Sequence, residues 1–427
     1  MTKNILLMCE DAPVLKINFD EGIYDVLNAK LLPYGLRGKR LYEIPDESTL
    51  VTREGRTKYT VAINHNYSAV ITWLSNRTLS LGRKNAKWLY DLLHLEQVDN
   101  EVQKAKIAII CKAVSLLDNY WIMTEGSNVT WNQLNLRHNS LNQVIAQVAL
   151  HGSSLTLQGE LTTPEFTTNG AYAKAWRRHD DDSLWLYKLG ANGSAESKIE
   201  VMCSNLLDKM NVEHCHYEAG EDEGKYVCMC PCLTSDDVSI LSGMEFISYC
   251  NVNGLNPDEE MMRIDSQNIY KMWIVDYLFA NRDRHSQNWG FYYDPRTMEI
   301  FKCHPLFDHN NAFDIEYMQG RNKIYQFRNI PMCDAAKYAI KRVEFYFTEP
   351  IVRSDFMTDR QYKEFMYRAK ELGIQTLTGY DALISKEAIK LGLNRPLSEL
   401  KSILPKVELS DDELKSAMSV IKDYERK

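Results

Sequence analysis

The sequence contains no long hydrophobic run. None of its 427 residues lies in an apolar stretch of about 18, the length that a membrane-spanning helix needs. No basic segment followed by an apolar one, of the kind that directs secretion, occurs at the N-terminus. These absences predict a cytoplasmic protein that binds no membrane.

A surplus of positive charge is also missing. The chain has 50 Lys and Arg against 58 Asp and Glu, which gives a formal net charge of −8 at pH 7. A broad nucleic-acid interface is normally basic, and no helix-turn-helix pattern stands out. We therefore predict no direct nucleic-acid binding.

A cysteine pair on a turn, as zinc sites usually have, is missing. The 10 cysteines are scattered, and Cys228, Cys230 and Cys232 alternate as they would on one face of a strand. Zinc sites usually place cysteines about two to four residues apart on a turn. His214 and His216 lie nearby and keep a metal site as an alternative, but buried free thiols are the interpretation that we favour.

The apolar content is high enough for large cores. Hydrophobic residues make up 44% and aromatic residues 11% of a chain that is too long for one core. We predict an N-terminal accessory α/β domain at 1–150, a part built of strands and one helix at 151–250, and a mainly helical part at 251–427. Within the first part, Lys58 to Ile63 has the pattern of a strand.

The most informative segment is 281–288, which reads Asn-Arg-Asp-Arg-His-Ser-Gln-Asn. A strongly apolar helix pattern precedes it, and a hairpin is predicted from Trp289 to Cys303, with Pro295 setting φ at the turn. Asp308 follows shortly after the hairpin. The predicted order is therefore a helix, a polar loop, a hairpin and a second carboxylate.

Phosphoryl transfer needs these parts together. One carboxylate orients the attacking hydroxyl, while an amide oxygen and a second carboxylate hold Mg²⁺ on the nucleotide phosphates. Asp283 and Asn288 alone would mean little, because both residue types are common in loops. The hairpin and Asp308 favour the catalytic interpretation.

A second pattern lies upstream. Residues 183–190 predict a strand with Lys188 on its apolar face, and residues 196–210 predict a helix with Glu196 and Glu200 on one flank. On the strand alone, Lys188 would be interpreted as a lysine extending from the strand end. A strand lysine followed by a helix glutamate is, however, the pair that a kinase small lobe requires.

The loop motif resembles that of a known family. Asn281-x-Asp283-Arg284-His285-x-x-Asn288, followed by Pro305-Leu306-Phe307-Asp308, resembles the catalytic segment of HipA-like serine/threonine kinases. It is more distantly similar to the Asp-Arg-His-x-x-Asn loop of phosphoinositide kinases. The resemblance implies that Asp283 is the catalytic base, Asn288 a metal ligand and Asp308 the Asp of the Asp-Phe-Gly element. His309 and Asn310 replace the Phe and Gly of that element.

The resemblance also implies an α+β, two-lobed protein-kinase-like fold that binds ATP between a small lobe at 151–250 and a large lobe at 251–427. The family has a short Gly-x-x-x-Lys loop over the phosphates, which Gly170, Ala171 and Lys174 match. The family's loop carries an autophosphorylated serine, which is not retained here, although Thr167 and Thr168 lie nearby. Glu200 fits the family's helix better than Glu196, which stays the alternative partner of Lys188.

The implied function is phosphorylation of Ser or Thr hydroxyls on a protein substrate or on the enzyme itself, with ATP and Mg²⁺ as cofactors. HipA-like proteins often act as toxins that a DNA-binding antitoxin neutralises, so an antitoxin is a candidate partner. The irregular segment 309–345 is expected to form the substrate platform, and Ser410 to begin the last helix.

Two other functions stay open. A lipid or small-molecule kinase is disfavoured because the chain offers few basic residues between Asp308 and Asp334. A non-catalytic nucleotide-binding scaffold is disfavoured because Lys188, Asp283 and Asn288 are intact alongside Asp308.

Overall fold

The structure is a computed structural model that describes most of the chain up to residue 374. The described residues are 4–38, 41, 51–53, 56–58, 60–97, 99–152, 155, 162–168, 170–191, 194–314, 324–325 and 330–374. The expected helix at Ser410 lies outside them, as do residues 315–323 and 326–329 of the expected substrate platform. The prediction that 309–345 is irregular is wrong at Met332–Ala339, which forms a helix because its small residues Ala335, Ala336 and Ala339 are buried at helical spacing. None of the helices in the described ranges is both long and apolar enough to cross a membrane.

Helices and strands are mixed along the chain. The strands are β1 (Asn4–Cys9), β2 (Ala12–Asn18), β3 (Ile23–Val26), β4 (Val51–Arg53), β5 (Arg56–Lys58), β6 (Tyr120–Thr124), β7 (Ala173–Arg178), β8 (Leu184–Leu189), β9 (Glu218–Asp222), β10 (Lys225–Pro231), β11 (Ser239–Ser242), β12 (Gly290–Tyr293), β13 (Ile300–Cys303), β14 (Ile324–Tyr325) and β15 (Ile330–Pro331). The helices are α1 (Thr60–Ser75), α2 (Ala86–Leu92), α3 (Glu101–Ile110), α4 (Trp131–Leu134), α5 (Gln143–His151), α6 (Ala195–Leu207), α7 (Gly243–Asn253), α8 (Pro257–Phe279), α9 (Met332–Ala339) and α10 (Asp359–Glu371).

The chain forms two compact units. The first consists of Met1–Val201, His214–Ile269 and Asp283–Asn310, and the second of Met202–Glu213, Tyr270–Arg282 and Asn311–Lys427. The division into domains at 1–150, 151–250 and 251–427 stays a prediction.

The first unit begins with an antiparallel sheet in the order β3-β2-β1-β6. Alternate residues of β1, Ile5 and Leu7, are buried in one cluster with residues of α1. The strand predicted from Lys58 to Ile63 is wrong, because β5 ends at Lys58 and α1 begins at Thr60. The helix buries three residues at the spacing of one helical face, Val70, Trp73 and Leu74. Packing of this face on the sheet outweighs the local strand preference.

A second antiparallel sheet of the first unit has the order β7-β8-β10-β9. Its register places Lys188 of β8 opposite Lys174 of β7 on one side and opposite Cys228 of β10 on the other. The predicted strand at 183–190 and helix at 196–210 are confirmed as β8 and α6. Cys228 and Cys230 are buried free thiols, as favoured above.

The predicted hairpin is confirmed as β12 and β13, which form a three-stranded sheet with β11. Its turn is closed by Asp294, whose Oδ1 accepts hydrogen bonds from the backbone N–H of Arg296 at 2.7 Å and of Thr297 at 3.1 Å. This Asx turn fixes the path of the chain before it reaches residues 304–308.

The second unit contains the C-terminal end of α8. Ala280 adopts a left-handed φ of 51°, and its N–H donates to Tyr277 O at 3.1 Å. The N–H of Asn281 donates to Asp276 O at 2.8 Å, which completes a Schellman motif. Asn281 Nδ2 also donates to the buried Asp276 carboxylate at 3.0 Å. These bonds fix the direction in which the chain leaves α8.

Candidate active site

Lys188 lies at the centre of a buried cluster of charges in the first unit. Its Nζ is 3.3 Å from Glu200 Oε1 and 3.0 Å from Asp308 Oδ1, and it donates a hydrogen bond to the Tyr217 hydroxyl at 2.8 Å. Burial on its own lowers the pKa of Lys188, but Asp308 and Glu200 raise this pKa well above its ordinary value. The ammonium group therefore stays charged between two carboxylates, and of the two glutamates considered it is Glu200 that forms the salt bridge.

Asp308 is held in a strained turn. Its φ is 61°, a left-handed value that few residues other than glycine adopt. The Asp308 N–H donates to Glu200 Oε1 at 3.1 Å, and its Oδ1 accepts from Asn310 Nδ2 at 3.1 Å. Burial raises the pKa of Asp308, but Lys188 and Lys174 more than offset this and hold the pKa well below its usual range. Asp308 is thus an ionised carboxylate in a fixed position.

The loop that contains Asp283 and Asn288 is tied together by its own side chains. Asn288 is buried, and its Nδ2 donates to Asp283 O at 2.9 Å. The Asp283 side chain itself is 35% exposed, and its Oδ1 lies 4.0 Å from His285 Nε2. The loop therefore presents the Asp283 carboxylate to solvent while the amide of Asn288 is held beneath it.

Arg284 connects this loop to the segment around Asp308. The guanidinium group is fully buried and donates to the carbonyl oxygens of Asn288 and, at 3.0 Å, of Phe307. It also lies 3.0 Å from His309 Nε2. Burial and the neighbouring Arg284 hold the pKa of His309 well below its usual value, so this imidazole is neutral and Nε2 accepts the hydrogen bond. Arg284 thus sets the position of Asp283 and Asn288 relative to Asp308.

The predicted phosphate-covering loop lies over the same cluster. Lys174 is buried, and burial together with the neighbouring Lys188 lowers its pKa to about 8. Gly170 has a φ of 108°, which a side chain would rarely allow, and Ala171 O accepts a hydrogen bond from the Lys84 N–H at 2.8 Å. The structure therefore brings Lys174 beside Lys188 and Asp308.

Arg83, a residue that the sequence did not single out, holds this loop in place. It is 3% exposed and donates to Glu165 O at 2.8 Å, to Thr168 O at 3.2 Å and to Lys174 O. All three acceptors are backbone carbonyls, which carry no signal in the sequence. Burial lowers the pKa of Arg83 to about 10, which leaves it cationic at neutral pH.

The two threonines near the loop are also engaged in hydrogen bonds. The Thr168 hydroxyl donates to Pro164 O at 2.7 Å, and the buried Thr167 hydroxyl donates to Val114 O at 3.2 Å. A phosphate on either hydroxyl would have to break these bonds.

A cavity of about 640 Å³ lies beside both loops within the first unit. Gly170 and Ala171 line it on one side, and His285 and Gln287 on another. Its remaining wall carries charges of both signs from other parts of the unit, including Arg77, Asp118 and Glu245.

The oxygen atoms around Asp308 have the chemistry of a magnesium site. Mg²⁺ prefers carboxylate and amide oxygens, which Asp308, Asn288 and Asn310 supply. Asn310 Oδ1 is buried and has no hydrogen-bond partner among the described residues. A buried amide oxygen without a partner, two residues from an ionised carboxylate, fits the chemistry of a bound cation.

No protein-family model matches this chain, and no curated protein matches it. Among solved structures it is similar to the crystal structure of a Helicobacter pylori proinflammatory kinase, CtkA, at 14% identity, with 52% of this chain and 95% of that chain covered and a TM-score of 0.32. It is also similar to HipA of Shewanella oneidensis MR-1, solved with HipB and operator DNA, at 11% identity, with 79% and 88% covered and a TM-score of 0.36. The structural neighbours of this chain are thus, at low similarity, a kinase and HipA.

Proposed function

We propose that the protein is a kinase that transfers the γ-phosphoryl group of ATP to Ser or Thr hydroxyls of a protein substrate. The observation that carries the proposal is the buried ammonium of Lys188, 3.3 Å from Glu200 on the following helix and 3.0 Å from Asp308. A lysine held between a helix carboxylate and a metal-binding carboxylate is the arrangement that phosphoryl transfer requires. A two-lobed kinase fold, with lobes at 151–250 and 251–427, belongs to the same proposal.

The residues of the phosphate loop have a role in nucleotide binding under this proposal. Lys188 and Lys174 pair with phosphate oxygens, and the backbone N–H groups of Gly170 and Ala171 contact the same phosphates. Lys174 is well suited to this role because a pKa of about 8 rises when an anion replaces water beside it. Arg83 holds the loop from below through three backbone carbonyls.

Asn288 and Asp308 are the residues that would hold Mg²⁺, and the ion would supply neutralisation of the charge that develops on the phosphates. Asp283 orients the acceptor hydroxyl in line with the γ-phosphate and accepts its proton. Arg284 keeps Asp283 and Asn288 at a fixed distance from Asp308, because it hydrogen-bonds both segments. Orientation of this kind supplies much of the rate enhancement in phosphoryl transfer.

The cavity beside both loops gives the acceptor hydroxyl a route to Asp283 and the phosphate loop. It touches Ala171 of the phosphate loop and His285 of the catalytic loop, and His285 Nε2 lies 4.0 Å from Asp283 Oδ1. Its charged lining contains Arg77, but that guanidinium is already paired with Asp118 at 2.7 Å. A polyanionic inositol headgroup would need unpaired basic residues, so a protein acceptor suits this wall better.

The biological setting is part of the proposal as well. The sequence resemblance to HipA-like kinases makes a toxin of a toxin–antitoxin pair the first setting to test. The partners to look for are a protein substrate and an antitoxin protein.

The proposal is tested by incubating the purified full chain with γ-labelled ATP and Mg²⁺, alone and with cell lysate. Mass spectrometry should locate phosphoserine or phosphothreonine on a lysate protein or on the enzyme, and Lys188→Met should abolish the label. Label that enters only inositol lipids, or that persists in Lys188→Met, would contradict the proposal.

A further inference from the structure

The side-chain oxygen of Asn310 has no hydrogen-bond partner among the described residues. Asn310 is 8% exposed, and its Nδ2 donates to Asp308 Oδ1 at 3.1 Å. Its Oδ1 is buried and accepts no hydrogen bond from any described residue. One side of this amide is therefore fixed on the Asp308 carboxylate, and the other is left unsatisfied.

An unsatisfied buried amide oxygen is costly. Burial of such a group without a partner lowers the stability of the fold, so it calls for a specific explanation. Rotation of the amide by half a turn does not remove the cost, because the oxygen would then face the negatively charged carboxylate of Asp308. The orientation is thus set by Asp308, and the free oxygen lies next to an ionised carboxylate.

The backbone at this position is held by the preceding residue. His309 is buried, and its Nε2 accepts a hydrogen bond from Arg284 at 3.0 Å. Arg284 also donates to the carbonyl of Phe307, so both neighbours of Asp308 are fixed by one guanidinium group. Asn310 is therefore held beside Asp308 rather than free to turn away.

We propose that Asn310 is a ligand of the same Mg²⁺ that Asp308 holds, with Oδ1 replacing one of the water molecules on the ion. A carboxylate and an uncharged amide oxygen side by side are hard ligands of the type that Mg²⁺ selects. The ion is then the missing partner of Oδ1, which explains why this oxygen is buried without a hydrogen bond. The inference rests on the proposed function, because it concerns the metal that this function requires.

Two readouts on one variant separate a ligand from a hydrogen-bond donor. Asn310→Ala removes both the oxygen and the Nδ2 donor, so either role predicts weaker metal binding. If Asn310 is a ligand, the Mn²⁺ bound to Asn310→Ala gains one water molecule, which is counted from the broadening of its electron paramagnetic resonance line in ¹⁷O-water. If Asn310 only orients Asp308 through Nδ2, the number of water molecules on the ion stays that of the wild type.

The measurement is Mn²⁺ binding to the full chain with a non-hydrolysable ATP analogue, followed by electron paramagnetic resonance of free Mn²⁺. We expect the dissociation constant of Asn310→Ala to rise about tenfold or more and its bound Mn²⁺ to hold one more water molecule than in the wild type. Asn251→Ala, at an exposed position of α7, is the matched control and should change neither value. If Asn310→Ala fails to fold in a melting curve, Asn310→Leu, which keeps the size of the side chain without its polar atoms, takes its place.

The outcomes distinguish this inference from the proposed function. Unchanged Mn²⁺ affinity in Asn310→Ala, or an unchanged number of water molecules on the bound Mn²⁺, overturns the ligand role even if the wild type transfers phosphate. A wild type that neither binds Mn²⁺ with nucleotide nor labels any protein contradicts the proposed function itself.

Discussion

The ammonium group of Lys174 occupies the space that a Cβ atom on residue 170 would need, so any side chain at residue 170 would displace this ammonium group from its present place. Gly170 also has a φ of 108°, in the region that glycine tolerates. The loop that we propose to cover the phosphates therefore depends on one glycine for both its backbone and the position of its lysine.

This relationship predicts that Gly170→Ala weakens nucleotide binding. The added methyl group displaces Lys174 from its place beside Lys188 and Asp308, so one charge-assisted hydrogen bond to the nucleotide is lost. Such a loss lowers affinity about tenfold, and calorimetry with ATP measures it. Gly224→Ala is the matched control, because Gly224 has a φ of 73° but no atom within 4 Å of its Cβ position. Wild-type ATP affinity in Gly170→Ala would show that the place of Lys174 does not depend on this glycine.

A second prediction concerns the buried salt bridge of Lys188. Lys188→Met leaves the buried carboxylate of Glu200 and the partly buried carboxylate of Asp308 without their cation, so the free energy of unfolding should fall by about 3 kcal/mol or more. Adding Glu200→Gln removes one of the unpaired charges and should recover part of this stability, but not phosphoryl transfer. Chemical denaturation of the three proteins measures the effect, and a Lys188→Met variant as stable as the wild type would show that the cluster is not buried as described.

A third prediction tests the role of Arg284. A lysine cannot reach Asn288 O, Phe307 O and His309 Nε2 at once, so Arg284→Lys leaves the catalytic loop less well positioned. We expect kcat to fall about 100-fold while ATP affinity stays close to that of the wild type. Arg282→Lys is the control two residues away, where an exposed guanidinium pairs with Asp314 at 2.9 Å and its replacement should matter little. Equal rates in the two variants would remove Arg284 from the positioning of the loop.

A fourth prediction follows from Glu245 in the wall of the cavity. Burial and the nearby Asp118 raise the pKa of Glu245 from 4.5 to about 7, although Arg77 and Ser242 act in the opposite direction. The folded protein therefore binds one more proton than the unfolded chain between these two values, and Glu245 lowers stability as the pH rises through this window.

Glu245→Gln should remove this dependence. The free energy of unfolding of the variant should equal that of the wild type near pH 4.5 and exceed it at pH 8. Chemical denaturation of both proteins at both pH values measures the difference. A difference between the two proteins that does not change with pH would show that the carboxyl of Glu245 keeps an ordinary pKa.

The parts of the fold that the sequence predicted are those with local signals. The hairpin was predicted from a turn around Pro295, and the strand with Lys188 from its apolar face. The strand predicted from Lys58 to Ile63 was wrong because the residues from Thr60 onward favour a strand only locally. Their helix is stabilised by contacts of its C-terminal half, in particular of Trp73, with a distant sheet.

In the candidate active site, too, only the residues with a local sequence signal were predicted. Spacing within one segment suggested Asp283, Asn288 and Asp308, whereas Arg83 gave no signal because its acceptors are carbonyls up to 91 residues away. The sequence predicted that Lys188 pairs with a glutamate of the following helix, but two candidates remained, Glu196 and Glu200, which lie one turn apart. Helical spacing alone does not determine which of the two faces the strand.

The central claim is most directly tested by phosphoryl transfer in Asp283→Asn. Asparagine keeps the shape of the side chain but removes the carboxylate, so ATP affinity by calorimetry should stay within about threefold of the wild type while transfer of label to protein falls by at least about 100-fold. Retained nucleotide binding with lost transfer is the result that the account predicts. Undiminished phosphorylation by Asp283→Asn would contradict it.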